Sequence, residues 1–286
     1  MRHRLILVTS VVAAAGCPPP PPIPGGPTPT IPPPAAQPIA PGPVQLRPSS
    51  VRYVVHRKLR IEQELAGQAP THMSYRVFVT AVIGGPADST GYAVAHTVDS
   101  VVADSGTFVP PTVNFAAARG LRFSGRLTAT GIVRNAVAAD SVTAQSLGQF
   151  LGNLRDFYPR LPATGLEPQA AWTDTVTTSD RAAGGDVQVR SIVASSVPGW
   201  ESRGGKQCLR VEAQSTFTLQ GVGEQGGQPF ELTGTGMRRA VAFVSADGRY
   251  LGGETRDSTN VSVSLPVQGM TIPIRQVVQA TVTVLP

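Results

Sequence analysis

The stretch Leu209-Arg210-Val211-Glu212-Ala213-Gln214-Ser215-Thr216-Phe217-Thr218-Leu219 sets the fold class. Its apolar residues Leu209, Val211, Ala213, Phe217 and Leu219 alternate with Arg210, Glu212, Gln214, Thr216 and Thr218. Successive side chains of an extended strand point to opposite faces, so a period of two predicts a strand with one face in a core and the other in water. The same period recurs at Tyr53, Val55, Leu59 and Ile61 opposite Arg52, His56, Lys58 and Arg60. It returns at Tyr75, Val77, Val79, Ala81 and Ile83, and at Leu121, Phe123, Leu127, Ala129 and Val133. Near the end, Val261 to Leu265 and Ile272 to Val284 are dominated by valine, threonine and isoleucine, whose branched side chains suit a pleated surface. Gly84-Gly85-Pro86, Gly184-Gly185-Asp186, Gly204-Gly205, Gly226-Gly227 and Asp247-Gly248 supply tight bends between these runs. The pattern predicts a mainly β chain, a long antiparallel meander that forms a curved sheet or half-barrel, with a β-sandwich as the alternative.

One segment departs from this period. From Ser141 to Tyr158, the residues Val142, Leu147, Phe150, Leu151, Leu154 and Phe157 recur at helical spacing, with Ser141 placed to cap and Pro159 to terminate. The reading is one central helix over about 141–158. It divides the folded region, residues 49–286, into β blocks at about 49–140 and 172–286. Leu147, Phe150, Leu151 and Leu154 are the candidate ligand-binding residues, since they line any cavity between helix and concave sheet. If the helix is a plain connector, the same four fill a core.

The N-terminal part has a different composition. Arg2 and Arg4 precede an apolar run from Leu5 to Val12 and the small residues Ala13 to Gly16, the three parts of a secretory signal at 1–16. The apolar run is shorter than the about 20 residues of a membrane-spanning helix. Residues 18–48 hold 15 prolines in 31 positions and only one charged residue, Arg47. Proline fixes φ and removes the amide donor, which predicts an unpacked polyproline spacer reaching at most roughly 95 Å at about 3.1 Å per residue. A docking segment for a proline-binding module is the sharper alternative.

Ala14-Ala15-Gly16-Cys17 resembles the lipobox of bacterial lipoproteins, with Ala14 where leucine is more usual. The resemblance implies cleavage before Cys17 and attachment of acyl chains, palmitate among them, to that cysteine. At about 0.8 kcal/mol per buried methylene, two or three such chains hold a protein in a membrane. The implied location is the bacterial cell envelope, on the outer-membrane or periplasmic side rather than the cytoplasm. Cys208, the second of two cysteines, then has no partner, so no internal disulfide framework is expected. Its place in Gln207-Cys208-Leu209 suggests a small buried residue.

The formal net charge is +6, and loss of Arg2 and Arg4 with the signal leaves +4. In an exported chain, anionic lipid or surface polymer is a better match for this balance than nucleic acid, which is not expected as a partner. The densest basic cluster is Arg52, His56, Arg57, Lys58 and Arg60, which a solvated strand face also explains.

Motifs with chemistry are few. Gly221-Val222-Gly223-Glu224-Gln225-Gly226 spells the dinucleotide fingerprint, but Pro229 and a strand-like Phe230-Glu231-Leu232 follow where a helix is needed, so it reads as a hairpin loop. Gly204-Gly205-Lys206 lacks both the earlier glycine of a phosphate loop and the following serine or threonine. His56, His72 and His96 have no zinc-pair spacing, there is no Gly-x-Ser-x-Gly elbow, and Glu62 and Glu64 share a strand face without further sign of a role. No catalytic residue, metal or cofactor is assigned. Trp200 lies in Pro198-Gly199-Trp200-Glu201, read as a loop in which it touches ligand or membrane or folds over the sheet edge.

Leu161-Pro162-Ala163-Thr164-Gly165-Leu166-Glu167-Pro168, followed by Trp172-Thr173-Asp174-Thr175, resembles a segment of uncharacterised secreted bacterial β-rich proteins. Long strands with a covering helix are also similar in architecture to the lipid-carrier half-barrels of the bacterial envelope. These resemblances imply a non-enzymatic, membrane-anchored envelope lipoprotein that binds a lipid or other apolar ligand. The alternative is a structural or assembly lipoprotein that presents a β surface to an envelope protein partner.

Overall fold

The structure, a computed structural model, describes residues 42–63, 69–107, 109, 113–151, 156–182, 185–225 and 227–286. Its strands are β1 (Ser49–Gln63), β2 (Thr71–Ile83), β3 (Tyr92–Ala103), β4 (Arg122–Leu127), β5 (Val133–Ala138), β6 (Ala171–Ala182), β7 (Gly185–Ser196), β8 (Trp200–Arg203), β9 (Lys206–Gln225), β10 (Gln228–Ser245), β11 (Tyr250–Leu265) and β12 (Met270–Val284). All twelve belong to one antiparallel sheet, in the spatial order β5, β4, β3, β2, β1, β12, β11, β10, β9, β7, β6, with β8 beside β9. The curved-sheet expectation holds, and a single sheet replaces the β-sandwich alternative.

The chain builds two meanders, and pairing of its first and last strands makes them one sheet, with Leu59 opposite Val278. Hairpins grow outward from that seam, so β5 and β6, consecutive in the chain, form the two opposite edges. Residues 139–170 therefore link one edge to the other. Leu147, Phe150 and Leu151 pack with Met73, Tyr75 and Val77 on one half of the sheet, while Phe157, Tyr158, Leu161 and Leu166 pack with Tyr53, Leu209, Val211 and Tyr250 across the seam. One link reaches the inner face of both halves only if the sheet curls around it.

Within this link the 18-residue helix is not formed. It is replaced by α1 (Ser141–Ser146) and α2 (Gly148–Leu151), with residues 152–155 outside the described ones. Asp140, not Ser141, is the cap: its carboxylate accepts from the Thr143 amide at 3.0 Å and the Thr143 hydroxyl at 2.6 Å. Val142, assigned to the apolar stripe, is 78% exposed. A straight helix of that length would run about 27 Å in one direction. The link has to follow a curved wall, and Gly148, a weak helix former, stands where it turns.

The folded part also starts before residue 49. Val44 and Leu46, placed by composition in the spacer, are both buried in the main core. Val44 exchanges two backbone hydrogen bonds of 2.8 Å with Leu166, and the Arg47 amide donates to the Gly248 carbonyl at 3.1 Å.

Turn chemistry follows expectation between Arg203 and Lys206, where Gly204 (φ 57°) and Gly205 (φ 76°) form the two-residue, positive-φ hairpin turn whose twist matches the flanking strands. Trp200 is not in a loop: it opens β8 opposite Leu209 and is half-buried against the main core.

Candidate functional site

Register sorts the inner-facing residues into rungs across the sheet. One rung reads Tyr75, Arg57, Ala280, Thr255, Ala240, Ala213 and Ser195 over seven neighbouring strands. The next reads Val77, Val55, Val282, Gly253, Ala242 and Val211. Alternation puts these side chains on one face, and their small size keeps the floor low. Ala213, Ala240, Thr255 and Ala280 are only half-buried. Above them lies a trough of about 520 Å³, bounded by both halves of the sheet and by Leu151 and Asp156 to Arg160 of the link. Further along, a Cβ at Gly236 would collide with the Phe217 ring, so glycine there lets that ring lie flat across the neighbouring strand.

An aromatic cluster closes one end. Phe157 meets Tyr53 and Tyr158 edge-on, with ring centroids 5.2 and 5.1 Å apart, and the Tyr53 hydroxyl donates to the Tyr250 carbonyl at 2.8 Å. Burial pushes the Tyr53, Tyr158 and Tyr250 hydroxyls well above the usual tyrosine range, so all three stay protonated. The buried hydroxyls of Tyr158 and Ser195, both on the trough lining, have no hydrogen-bond partner among the described residues.

Charge enters the trough in a patterned way. Arg238 forks onto Asp257, with Nε to Oδ1 at 2.8 Å and the second nitrogen to Oδ2 at 2.9 Å. Arg160 donates to Asp156 at 3.0 Å. Arg57 faces the trough without an ion-pair partner among the described residues. Its guanidinium lies near Tyr75, whose hydroxyl is raised by burial and only partly drawn back by that charge.

The sequence-predicted residues divide. Leu147 and Phe150, each 1% exposed, belong to a packed core, where Phe150 meets Tyr75 and Phe115 edge-on at 5.4 and 4.9 Å. Leu151 is buried and also touches the trough wall. Leu154 and Cys17 lie outside the described residues. The trough draws most of its lining from strand faces instead, and Phe157 and Tyr158 are the aromatic residues that the link adds to it. Small residues in register mark the floor, a signal that exists only once strand partners are known.

A second polar constellation sits on the outer face. His56 Nε2 lies 2.8 Å from Asp104 Oδ2 and 3.1 Å from Ser74 Oγ, while the Ser74 hydroxyl donates to Asp104 at 2.6 Å and Arg76 donates to it at 3.0 Å. The residue types are those of a hydrolase triad, but one imidazole nitrogen meets both partners, and the serine hydroxyl is held by the carboxylate. A triad needs the base to take the nucleophile's proton on one ring nitrogen and be oriented through the other. Asp104 is instead the hub of a charge cluster. The Ser74 hydrogen bond first, then the His56 contact and the Arg76 charge, hold its carboxyl below the usual range.

Gly221 to Gln225 are the end of β9 rather than a loop, paired into the β10 hairpin with Gln225 opposite Gln228. Cys208 is buried, and burial raises its thiol. Among the described residues, no group of three or more His, Cys, Asp or Glu is placed to hold a metal ion, and no helix is long and apolar enough to cross a membrane. No protein-family model matches the chain, and comparison with curated proteins finds no similar sequence.

Proposed function

We propose that the chain is an envelope lipoprotein, anchored through acyl chains on Cys17, whose concave trough holds an amphiphilic lipid. The observation that carries this reading is the floor: Val55, Ala213, Ala240, Thr255, Ala280 and Val282 on aligned rungs remain half-buried under about 520 Å³ of space. That volume falls within the roughly 300–1,000 Å³ of ordinary ligand sites, which combine apolar walls with a few polar anchors. Among the described residues Arg57 has no carboxylate partner, and the buried Tyr158 and Ser195 hydroxyls have no acceptor. An acyl chain suits the valines, and an anionic head suits Arg57. The reading is non-enzymatic.

The test uses the full chain with Cys17→Ser, purified without detergent, extracted with organic solvent and examined by mass spectrometry. Lipid near one equivalent per chain is expected, along with uptake of a fluorescent fatty acid. Absence of both removes the carrier reading. A structural lipoprotein with a protein partner is favoured by one feature, the exposed Ile192 and Met237 flanking Thr216 on the outer face. That reading expects an empty trough and loss of partner capture in Ile192→Asp.

A further inference from the structure

The opposite face of the sheet carries a second recess, of about 550 Å³. Outward-facing side chains from four adjacent strands line it. Lys58 stands opposite Ser74 on one side and Gln279 on the other, Gln279 opposite Arg256, and Arg256 opposite Arg239. Neighbouring rungs place Arg60 opposite His72 and Arg275 opposite Glu62. The wall is the turn at Ser105 to Thr107, held to β2 because the Thr107 hydroxyl donates to the Ser74 carbonyl at 2.7 Å and accepts from the Ser74 amide at 3.0 Å.

The charges here are unbalanced. Arg60 pairs with Glu62, whereas Lys58, Arg256 and Arg275 of the recess, and Arg239 on the next strand beyond its lining, have no ion-pair partner among the described residues. Like charges directly across a ladder repel and cost stability, yet Arg239 and Arg256 occupy such a pair. A surface that serves solubility alone intersperses both signs. Cations on successive strands repeat at multiples of about 4.8 Å, a spacing suited to a chain of anionic groups. Among the described residues no Phe, Tyr or Trp lines the recess, so these offer no stacking platform of the kind that single-stranded nucleic acids use. Ser105 and Gln279 instead offer groups that match sugar hydroxyls.

We infer that this recess binds an anionic polysaccharide, a linear sugar chain carrying carboxylate or phosphate groups. The inference is independent of the trough, which faces the other way. Arginine suits both acid types, because its planar fork meets either in a bidentate manner.

The test uses the full chain with Cys17→Ser and two fluorescein-labelled probes, polygalacturonate and a phosphorylated dextran, followed by anisotropy. Saturable binding of at least one probe, weakening as salt rises, is expected. Arg256→Ser with Arg275→Ser should weaken it by about tenfold, through loss of two charge contacts. Arg134→Ser with Arg190→Ser removes the same charge at exposed positions outside the recess and should change affinity by less than about twofold. Melting temperatures of both double variants check that each is folded. Binding of neither probe, or an equal loss in both double variants, overturns the proposal. So does tighter binding of single-stranded DNA, or of phosphatidylglycerol vesicles, that is lost in the Arg256 and Arg275 variant, since either result assigns the recess to another partner.

Discussion

His96 is fully buried, with its ring centroid 5.0 Å from Phe157 and 5.7 Å from Tyr158, and its Nε2 has no hydrogen-bond partner among the described residues. Burial opposes its charged form and lowers its pKa from 6.5 to about 4. The unfolded chain therefore binds a proton that the fold refuses, and stability falls as pH drops from about 6.5 towards 4, by about 3 kcal/mol in all. Urea unfolding at pH 7, 5.5 and 4 should show this slope, and His96→Phe should abolish it. Asp104 acts in a lower window: its carboxyl is held down in the fold, so its contribution is present above the ordinary carboxylate pKa and lost as pH falls through the lowered value. Phe150 tests the packing. Its ring is enclosed on several sides, so Phe150→Ala should cost about 3 to 5 kcal/mol in urea unfolding, whereas a trough lining would lose less. Its burial was legible from helical spacing. Whether it faced ligand or core was not, because both neighbours, Phe115 and Tyr75, come from distant parts of the chain.

At the scale of elements, the strands are the part that local pattern predicts best and the segments that join them the part it predicts least. Residues 43–48 look like spacer because proline is dense there, and two apolar residues at i and i+2 are too few to register as a strand. Yet Val44 pairs with Leu166 of the link, and Leu46 is buried beside it in the main core. Burial of such a side chain contributes about 1.5 to 3 kcal/mol. A chain that starts at Ser49 should therefore be less stable than one that starts at Gly42 by roughly 3 kcal/mol or more, read from urea midpoints at equal slope. Equal midpoints would show that the segment rests on the domain without holding it. The helix misreading has a related cause: apolar spacing of three and four records that one side is buried but not that the wall beside it is curved.

For the whole molecule, the trough makes a prediction that core packing does not. Ala240 is half-buried on the floor, so Ala240→Phe should place its ring in the open space, leave stability within about 1.5 kcal/mol and abolish fatty-acid uptake. In a close-packed interior the same change would strain the neighbours and lower the urea midpoint with no effect on uptake. The anchor is tested separately, since Cys17→Ser should end incorporation of labelled palmitate and move the protein out of the membrane fraction. Labelling that persists in this variant would place the acyl chains elsewhere.

The alternation around Val211, Tyr53 and Tyr75 determined by itself that the chain is an antiparallel β protein with one wet face. Side-chain direction in a strand is a property of consecutive residues, so no partner is needed to read it. The same local chemistry marked the Gly204-Gly205 turn. Only the tertiary structure decided that β1 joins β12, that β5 and β6 become opposite edges, and that Ala213, Ala240, Thr255 and Ala280 share one rung. Register and curvature arise from contacts between residues far apart in the chain, and a valine facing a void has the same sequence signature as a valine facing a core.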